Sequence, residues 1–195
     1  MMDAPSTPTD ETLMSAYVAG DRRAFEQLFA RLAPRLHGFF RRSFGSEATA
    51  DDLLQTTFLK LHRARDTYKV EMRVAPWAFA IAARVRLDEY RKRKRLAEDG
   101  DEEALARADE ARAAEAQGPE GLDGDAADAV RRAVDALPES QRVVVHLNRF
   151  EGMTFAEIAR VLDTTEGAVK LRAFRAYGAL RTRLRAFAPG EEATS

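Results

Sequence analysis

Residues 153–175 place two short amphipathic segments on either side of a brief interruption, and no other stretch constrains the fold as strongly. Thr154 and Glu157 have the spacing of a capping box, which predicts that a helix begins at Thr154. Residues 163–165 break the pattern, and Thr165 can cap a second helix. Two helices joined in this way form a helix-turn-helix. The residues expected to be buried are Phe155, Ile158, Ala159 and Leu162 on the first helix and Val169, Ala173, Ala176 and Leu180, facing it, on the second.

The turn and the outer face of the second helix favour DNA binding. Asp163 stands where glycine is more usual, and aspartate tolerates a positive φ better than most residues. The outer face is cationic, and its residues project from about one helical turn, which fits a major groove. An ordinary solvated helix pair is the alternative. The residues of this face are Lys170, Leu171, Phe174 and Arg175.

Charge is distributed unevenly along the 195 residues, although the formal net charge is only −1. Residues 1–95 carry +6, residues 96–128 carry −10 and residues 129–195 carry +3. Two basic segments therefore flank an acidic one, and a locally basic field favours phosphate binding. The acidic segment has four glycines, which predicts a flexible linker in which residues 102–116 favour an exposed helix. The negative charge of this segment has two interpretations. It keeps a tether between the two basic segments solvated, or it mimics DNA and weakens unproductive binding by those segments.

Composition also disfavours several kinds of site. The chain has no cysteine and only three scattered histidines, so we expect no disulfide and no metal site. We expect no enzyme activity, no catalytic residue and no cofactor, because no phosphate-binding glycine loop or nucleophile motif is present. No apolar run is long enough to span a membrane, and residues 1–10 do not resemble a secretory signal. A cytoplasmic protein without membrane insertion is the expectation.

The N-terminal segment is expected to be entirely helical, so the predicted fold class is all-α. We predict helices over residues 10–19, from Asp21 onward with Pro34 kinking or dividing the helix, over residues 49–65, and from Pro76 into the basic run at 91–95. Residues 68–75 are expected to form a loop. The apolar positions at helical spacing are Leu13, Tyr17, Val18, Phe25, Leu28, Phe29, Leu32, Leu53, Leu54, Thr57, Phe58, Leu61, Trp77, Ile81 and Val85.

Three motifs, in this order, resemble sigma factors of the extracytoplasmic-function (ECF) group, the minimal members of the sigma-70 family. Residues 50–61 resemble region 2.2, and residues 76–95 resemble regions 2.3 and 2.4. Residues 137–175 resemble region 4. The resemblance covers nearly everything except the linker. It implies a region 2 domain at 10–95 and a region 4 helix-turn-helix domain at 129–187, joined by the acidic linker at 96–128.

The resemblance further implies a bacterial transcription-initiation subunit and its partners. Such a protein binds the clamp helices and β flap of core RNA polymerase, reads the −10 and −35 promoter elements and assists promoter melting. When active it is associated with the nucleoid. When free it is expected to be a monomer held by an anti-sigma factor, which in this group is often tethered to the inner membrane.

By motif position, the resemblance assigns residues to three surfaces. For Phe58 core packing is an equal alternative, and Asp52 also suits a helix cap. The loop before the Trp77 helix is expected to capture an unstacked base, because stacking and phosphate contact suit that task; Trp77 itself is expected in the core. The polymerase-binding residues are Asp52, Gln55, Phe58 and Leu59; the −10 residues are Tyr68, Lys69, Arg73, Arg84, Arg91, Lys92 and Arg95; the −35 residues are Thr165, Lys170, Leu171, Arg172, Phe174 and Arg175.

Three positions depart from the family pattern. Arg84 stands where asparagine is common, Leu171 replaces a small polar residue and Ala168 replaces a frequent threonine. Because the last two changes remove hydrogen-bonding groups, we predict a −35 sequence unlike that of the best-known members.

Two other classes of protein share parts of this pattern. A stand-alone helix-turn-helix regulator would bind DNA tightly without polymerase. A sigma-like decoy would occupy an anti-sigma factor and lose its DNA contacts, although the intact cationic helices disfavour it.

Overall fold

The computed structural model describes residues 7–98 and 125–185, which belong to two compact helical units. Neither range contains a β-strand, and the all-α expectation is confirmed. Most of the predicted linker, including residues 102–116, lies outside the described residues, as do residues 1–6 and the tail after residue 185.

Over residues 7–98, the N-terminal unit is a bundle of four α-helices joined by short connections. Side chains of Thr9, Asp21 and Ser46 accept hydrogen bonds from backbone amides in the first turns of the first three helices, which explains where these helices begin. Gly45, with a φ of 76°, ends the second helix in the left-handed conformation that glycine adopts easily. The helices are α1 (Asp10–Val18), α2 (Arg22–Phe44), α3 (Glu47–Ala64) and α4 (Val74–Glu98), with a 3-10 turn at Arg65–Thr67.

The predicted helix starts at Thr49 and Pro76 were wrong, and of the two alternatives for Pro34 the division of its helix was wrong. The helix α2 is continuous over 23 residues with Pro34 inside it, because buried leucines on both sides of the proline hold it against the bundle. The helix α3 begins at Glu47 instead of Thr49, since Ser46 supplies its cap. The helix α4 begins at Val74, which leaves Pro76 in the first turn, where its missing N–H costs little.

Aromatic packing joins α2 to α4 in the core of this unit. Phe39 of α2 and Phe79 of α4 are fully buried, and their rings meet edge-on with centroids 5.5 Å apart. Arg86 is a buried residue that periodicity did not predict. Its guanidinium carbon lies 5.8 Å from the centroid of the Phe39 ring. This cation–π contact packs a charged side chain within the core.

Within residues 125–185, the C-terminal unit contains four further helices. Its core includes the fully buried Leu147, Met153, Ile158 and Val169. The C-terminal half of the last helix packs through Ala176 against Leu137 and Val145, so its apolar stripe also faces helices that precede the helix-turn-helix. The four helices are α5 (Asp125–Asp135), α6 (Glu139–Arg149), α7 (Phe155–Val161) and α8 (Glu166–Arg183).

Candidate nucleic-acid and protein interfaces

The helix-turn-helix is formed by α7, α8 and the turn between them. The Glu157 amide donates to Thr154 Oγ1 at 3.2 Å, and the Thr154 amide donates to Glu157 Oε2 at 2.8 Å, which is the predicted capping box. Asp163 has a φ of 50°, in the left-handed region. The hydroxyl of Thr165 accepts from the Ala168 amide at 3.2 Å and caps α8. The start of both helices and the turn residue agree with the sequence-based prediction.

Burial inside the motif differs from the prediction at both ends of α7 and at Leu180 of α8, which is only half-buried. Ile158 and Ala159 are buried as expected, but Phe155 and Leu162 are only half-buried, and Val161 is buried instead. The helix α7 has seven residues and ends at Val161, so the turn redirects the chain before Leu162 completes the stripe.

Thr154→Ala is expected to lower the free energy of unfolding of the C-terminal unit by about 1 kcal/mol, because the Glu157 amide loses its acceptor. Urea unfolding followed by helical circular dichroism measures the change. Thr182→Ala is the matched control, since the Thr182 hydroxyl donates to the Gly178 carbonyl within α8. Equal destabilisation by the two substitutions would contradict a specific capping role.

The outward face of α8 combines apolar and cationic side chains. Phe174 is 79% exposed, and Leu171, Lys170 and Arg175 are also exposed. The Lys170 ammonium lies 2.7 Å from Glu166 Oε1, one turn earlier. The structure therefore brings the four predicted groove residues together. Of the other two predicted −35 residues, Arg172 is half-buried and Thr165 caps the helix.

The outward face of α3 carries three of the four predicted polymerase-binding residues. Asp52, Gln55 and Leu59 are exposed at helical spacing, and Leu59 is 60% exposed. Ser46 is the cap of α3, so the alternative role of Asp52 as its cap is excluded. The fourth residue, Phe58, is 9% exposed and packs inside the bundle, which favours the core alternative.

Phe29 is an exposed aromatic residue that sequence reasoning missed. Periodicity placed it in a buried stripe, yet it is 42% exposed, with its ring centroid 4.5 Å from that of Phe58. Phe25 also meets Phe58 edge-on, with ring centroids 6.4 Å apart, and lies 6.1 Å from the Phe29 ring centroid. Of the Phe29 and Phe58 rings, Phe58 is buried and Phe29 remains exposed. The signal in the sequence is that the apolar positions Phe25, Leu28, Phe29 and Leu32 cover more of the circumference of α2 than a single buried face does.

The loop at residues 68–73 exposes Lys69 and Arg73 but not Tyr68. Tyr68 is 9% exposed, its hydroxyl donates to the Met72 carbonyl, and its ring meets Trp77 edge-on at 5.3 Å. Burial is the main cause that raises the pKa of the Tyr68 phenol. The expectation that Tyr68 offers a free stacking face is corrected, because its ring forms part of the frame of the loop.

The basic end of α4 presents a stripe of arginines. Arg84, Arg91 and Arg95 are exposed at spacings that place them on one side of the helix, and Lys92 is exposed beside them. Arg93 points inward. Its guanidinium carbon lies 4.7 Å from the Phe44 ring centroid, and it donates to Glu89 Oε1 at 2.8 Å and to Thr49 Oγ1 at 3.0 Å.

Within residues 7–98 and 125–185, no group of three or more His, Asp or Glu side chains could hold a metal ion. None of the helices in those ranges combines the length and the apolarity that a bilayer crossing requires.

Comparison with known families gives matches to both units. Residues 28–96 match the family model Sigma-70 region 2, and residues 127–180 match Sigma-70, region 4. The RNA polymerase sigma factor CarQ of Myxococcus xanthus is 34% identical over 86% of this chain and 93% of CarQ. The ECF RNA polymerase sigma factor SigM of Mycobacterium tuberculosis is 34% identical over 88% of this chain and 83% of SigM.

Two solved structures share the fold. CnrH, solved in complex with the cytosolic domain of CnrY, has a TM-score of 0.62 and 28% identity, covering 91% of this chain and 97% of CnrH. The sigma factor RpoE of Bartonella quintana, solved with the anti-sigma factor NepR, has a TM-score of 0.66 and 22% identity, covering 84% of this chain and 98% of RpoE.

Proposed function

Because this chain belongs to the sigma-70 family of RNA polymerase sigma factors, in the ECF group, we propose that its exposed surfaces divide promoter recognition between the two helical units. The region 2 unit, at 10–95, binds core polymerase and the −10 element. The region 4 unit, at 129–187, binds the −35 element and the β flap. Residues 96–128 link them. We assign the chain no catalytic step, cofactor or metal. The observation that carries the proposal is the exposed apolar and cationic face of α8 on a capped helix-turn-helix.

The outward face of α3 is proposed to dock on the clamp helices of polymerase. Asp52 and Gln55 offer hydrogen-bonding groups. Leu59 offers an apolar side chain whose burial by a partner stabilises the complex. Phe29 extends this surface. Phe58 supports Phe29 from within the bundle and does not itself touch the partner.

The loop at 68–73 and the stripe on α4 are proposed to hold the −10 strand. Lys69 and Arg73 contact phosphate near the captured base, while Val70 and Met72 provide exposed apolar surface beside it. The stripe of Arg84, Arg91, Lys92 and Arg95 contacts the backbone further along the DNA.

The outward face of α8 is proposed to enter the major groove of the −35 element. Arg175 donates to guanine, and Leu171 and Phe174 contact thymine methyl groups. Lys170 exchanges Glu166 for DNA when it binds. Thr165 and Arg172 lie against the phosphate backbone.

We propose that an anti-sigma factor holds the free, monomeric chain inactive in the cytoplasm. CnrH was solved in complex with the cytosolic domain of CnrY, which supports a protein partner for this chain. Membrane tethering of that partner and association with the nucleoid after release follow from the family resemblance.

The test compares DNA binding with and without core RNA polymerase. Promoter fragments are selected from random DNA with the reconstituted holoenzyme, and their affinity is then measured for the holoenzyme and for the free chain. We expect specific binding only by the holoenzyme, to a −35 sequence unlike that of the best-known members. Specific duplex binding by the free chain would support a stand-alone regulator. A chain that binds neither polymerase nor DNA would support the sigma-like decoy that occupies an anti-sigma factor.

A further inference from the structure

One side chain of α1 reaches the junction between the 68–73 loop and α4. Glu11 Oε1 accepts a hydrogen bond from the backbone N–H of Val74 at 3.1 Å, across 63 positions of sequence. Val74 is the first residue of α4 and is fully buried. The first N–H groups of a helix have no acceptor within that helix, and Arg73, which precedes it, has no side-chain acceptor to offer. Glu11 therefore supplies a cap that the local sequence lacks.

Glu11 is itself held in place by the anchoring of α1. Thr9 caps this helix, and Leu13 and Met14 are buried. The neighbouring Asp10 accepts a hydrogen bond from Arg31 of α2 at 2.9 Å. The carboxylate of Glu11 thus projects from a docked helix and not from a loose terminus.

The other end of the loop is fixed by Tyr68. Its hydroxyl donates to the Met72 carbonyl, and the Met72 amide donates to the Lys69 carbonyl at 2.9 Å, closing a turn. With the Tyr68 ring against Trp77 of α4 and Glu11 on the Val74 amide, both ends of the loop are fixed to the bundle. A carboxylate at the start of α4 also interacts favourably with the dipole of that helix.

We propose that Glu11 is a positioning residue for capture of the −10 strand, because it fixes the loop backbone from which Lys69 and Arg73 project. The proposal rests on the function proposed above for this loop. Glu11 acts through the backbone of α4 and makes no contact with DNA, since its carboxylate would repel phosphate.

Hydrogen exchange in the free chain tests the capping bond independently of DNA. We expect Glu11→Ala to lower protection of the Val74 amide about tenfold, and Glu11→Gln, which keeps an acceptor, to stay within about threefold of the native chain. Glu26→Ala is the control, because Glu26 is an exposed carboxylate that pairs with Arg22 on α2. Unchanged protection in Glu11→Ala would overturn the proposal.

Strand binding by the reconstituted holoenzyme tests the role of the bond. Affinity is measured for a single-stranded −10 oligonucleotide and for a duplex that contains only the −35 element. Glu11→Ala is expected to lower the affinity for the single-stranded oligonucleotide about tenfold and to leave the affinity for the duplex unchanged. Glu11→Gln is expected to bind both DNAs nearly as tightly as the native chain. Native affinity of Glu11→Ala for the strand, or an equal loss on both DNAs, would overturn the positioning role.

A variant of the loop separates this proposal from the function on which it rests. If Lys69→Ala with Arg73→Ala weakens strand binding but Glu11→Ala does not, only the role of Glu11 is wrong. If the double variant binds the strand normally, the loop does not hold the −10 strand, and both proposals are overturned.

Discussion

Asp52→Arg is expected to weaken binding to core RNA polymerase by at least about 30-fold, since breaking a desolvated charge pair costs roughly 2–5 kcal/mol. Asp52 is exposed on α3 in the free chain, so the substitution leaves the bundle intact. Titration of labelled chain with core polymerase, followed by fluorescence anisotropy, measures the change. Thermal unfolding of the free variant verifies that its fold is unchanged.

Two further substitutions on α3 sharpen this test. Gln55→Ala is expected to lose about five- to tenfold, because a neutral hydrogen bond contributes less than a charge pair. Asp51→Arg is the matched control: Asp51 is an adjacent exposed carboxylate that is turned toward His37, with His37 Nε2 at 3.4 Å. An equal loss for Asp51→Arg would show that polymerase senses the charge of α3 and not the face that carries Asp52.

Arg175→Ala is expected to weaken binding of the holoenzyme to its −35 element about 10- to 100-fold, because a bidentate contact with guanine contributes roughly 1–3 kcal/mol. The exposed position of Arg175 on α8 means that stability changes little. Affinity is measured on the selected promoter and on variants with each −35 guanine replaced. On the promoter variant that lacks the guanine contacted by Arg175, the native chain and Arg175→Ala should bind with equal affinity.

Arg181→Ala is the control for general charge. Arg181 is also exposed on α8 but lies in its last turn, away from the four groove residues. Arg181→Ala is expected to lower the affinity for every DNA sequence slightly and by the same factor. A uniform loss for Arg175→Ala across every −35 variant would assign this arginine to the DNA backbone instead of to a base.

The helix-turn-helix could be predicted in detail because its boundaries depend on local hydrogen bonds. The Thr154 and Glu157 pair, the Thr165 cap and the positive φ of Asp163 are each encoded within a few residues. The roles of Tyr68 and Phe58 depend instead on distant neighbours. Tyr68 packs against Trp77, nine positions later, and Phe58 packs against Phe25 and Phe29 of another helix.

Side chains that act across the bundle were the least predictable from sequence. The bond between Glu11 and the Val74 amide joins residues 63 positions apart, and no periodicity reveals it. Arg86 is buried over Phe39, although arginine in a basic helix is typical of a solvated surface. In both cases tertiary packing decides which polar groups remain available to partners.

For the contact between α4 and DNA proposed above, the inward turn of Arg93 is expected to reduce how steeply salt weakens binding. Each cation that neutralises a phosphate releases about 0.7 counterions from single-stranded DNA, and this release makes affinity fall as salt rises. Arg93 already interacts with Glu89 and with the Phe44 ring, so it does not add its full share to this release. We therefore expect promoter complexes that form through the proposed α4 contacts to lose less affinity as ionic strength rises than they would with five fully available cations.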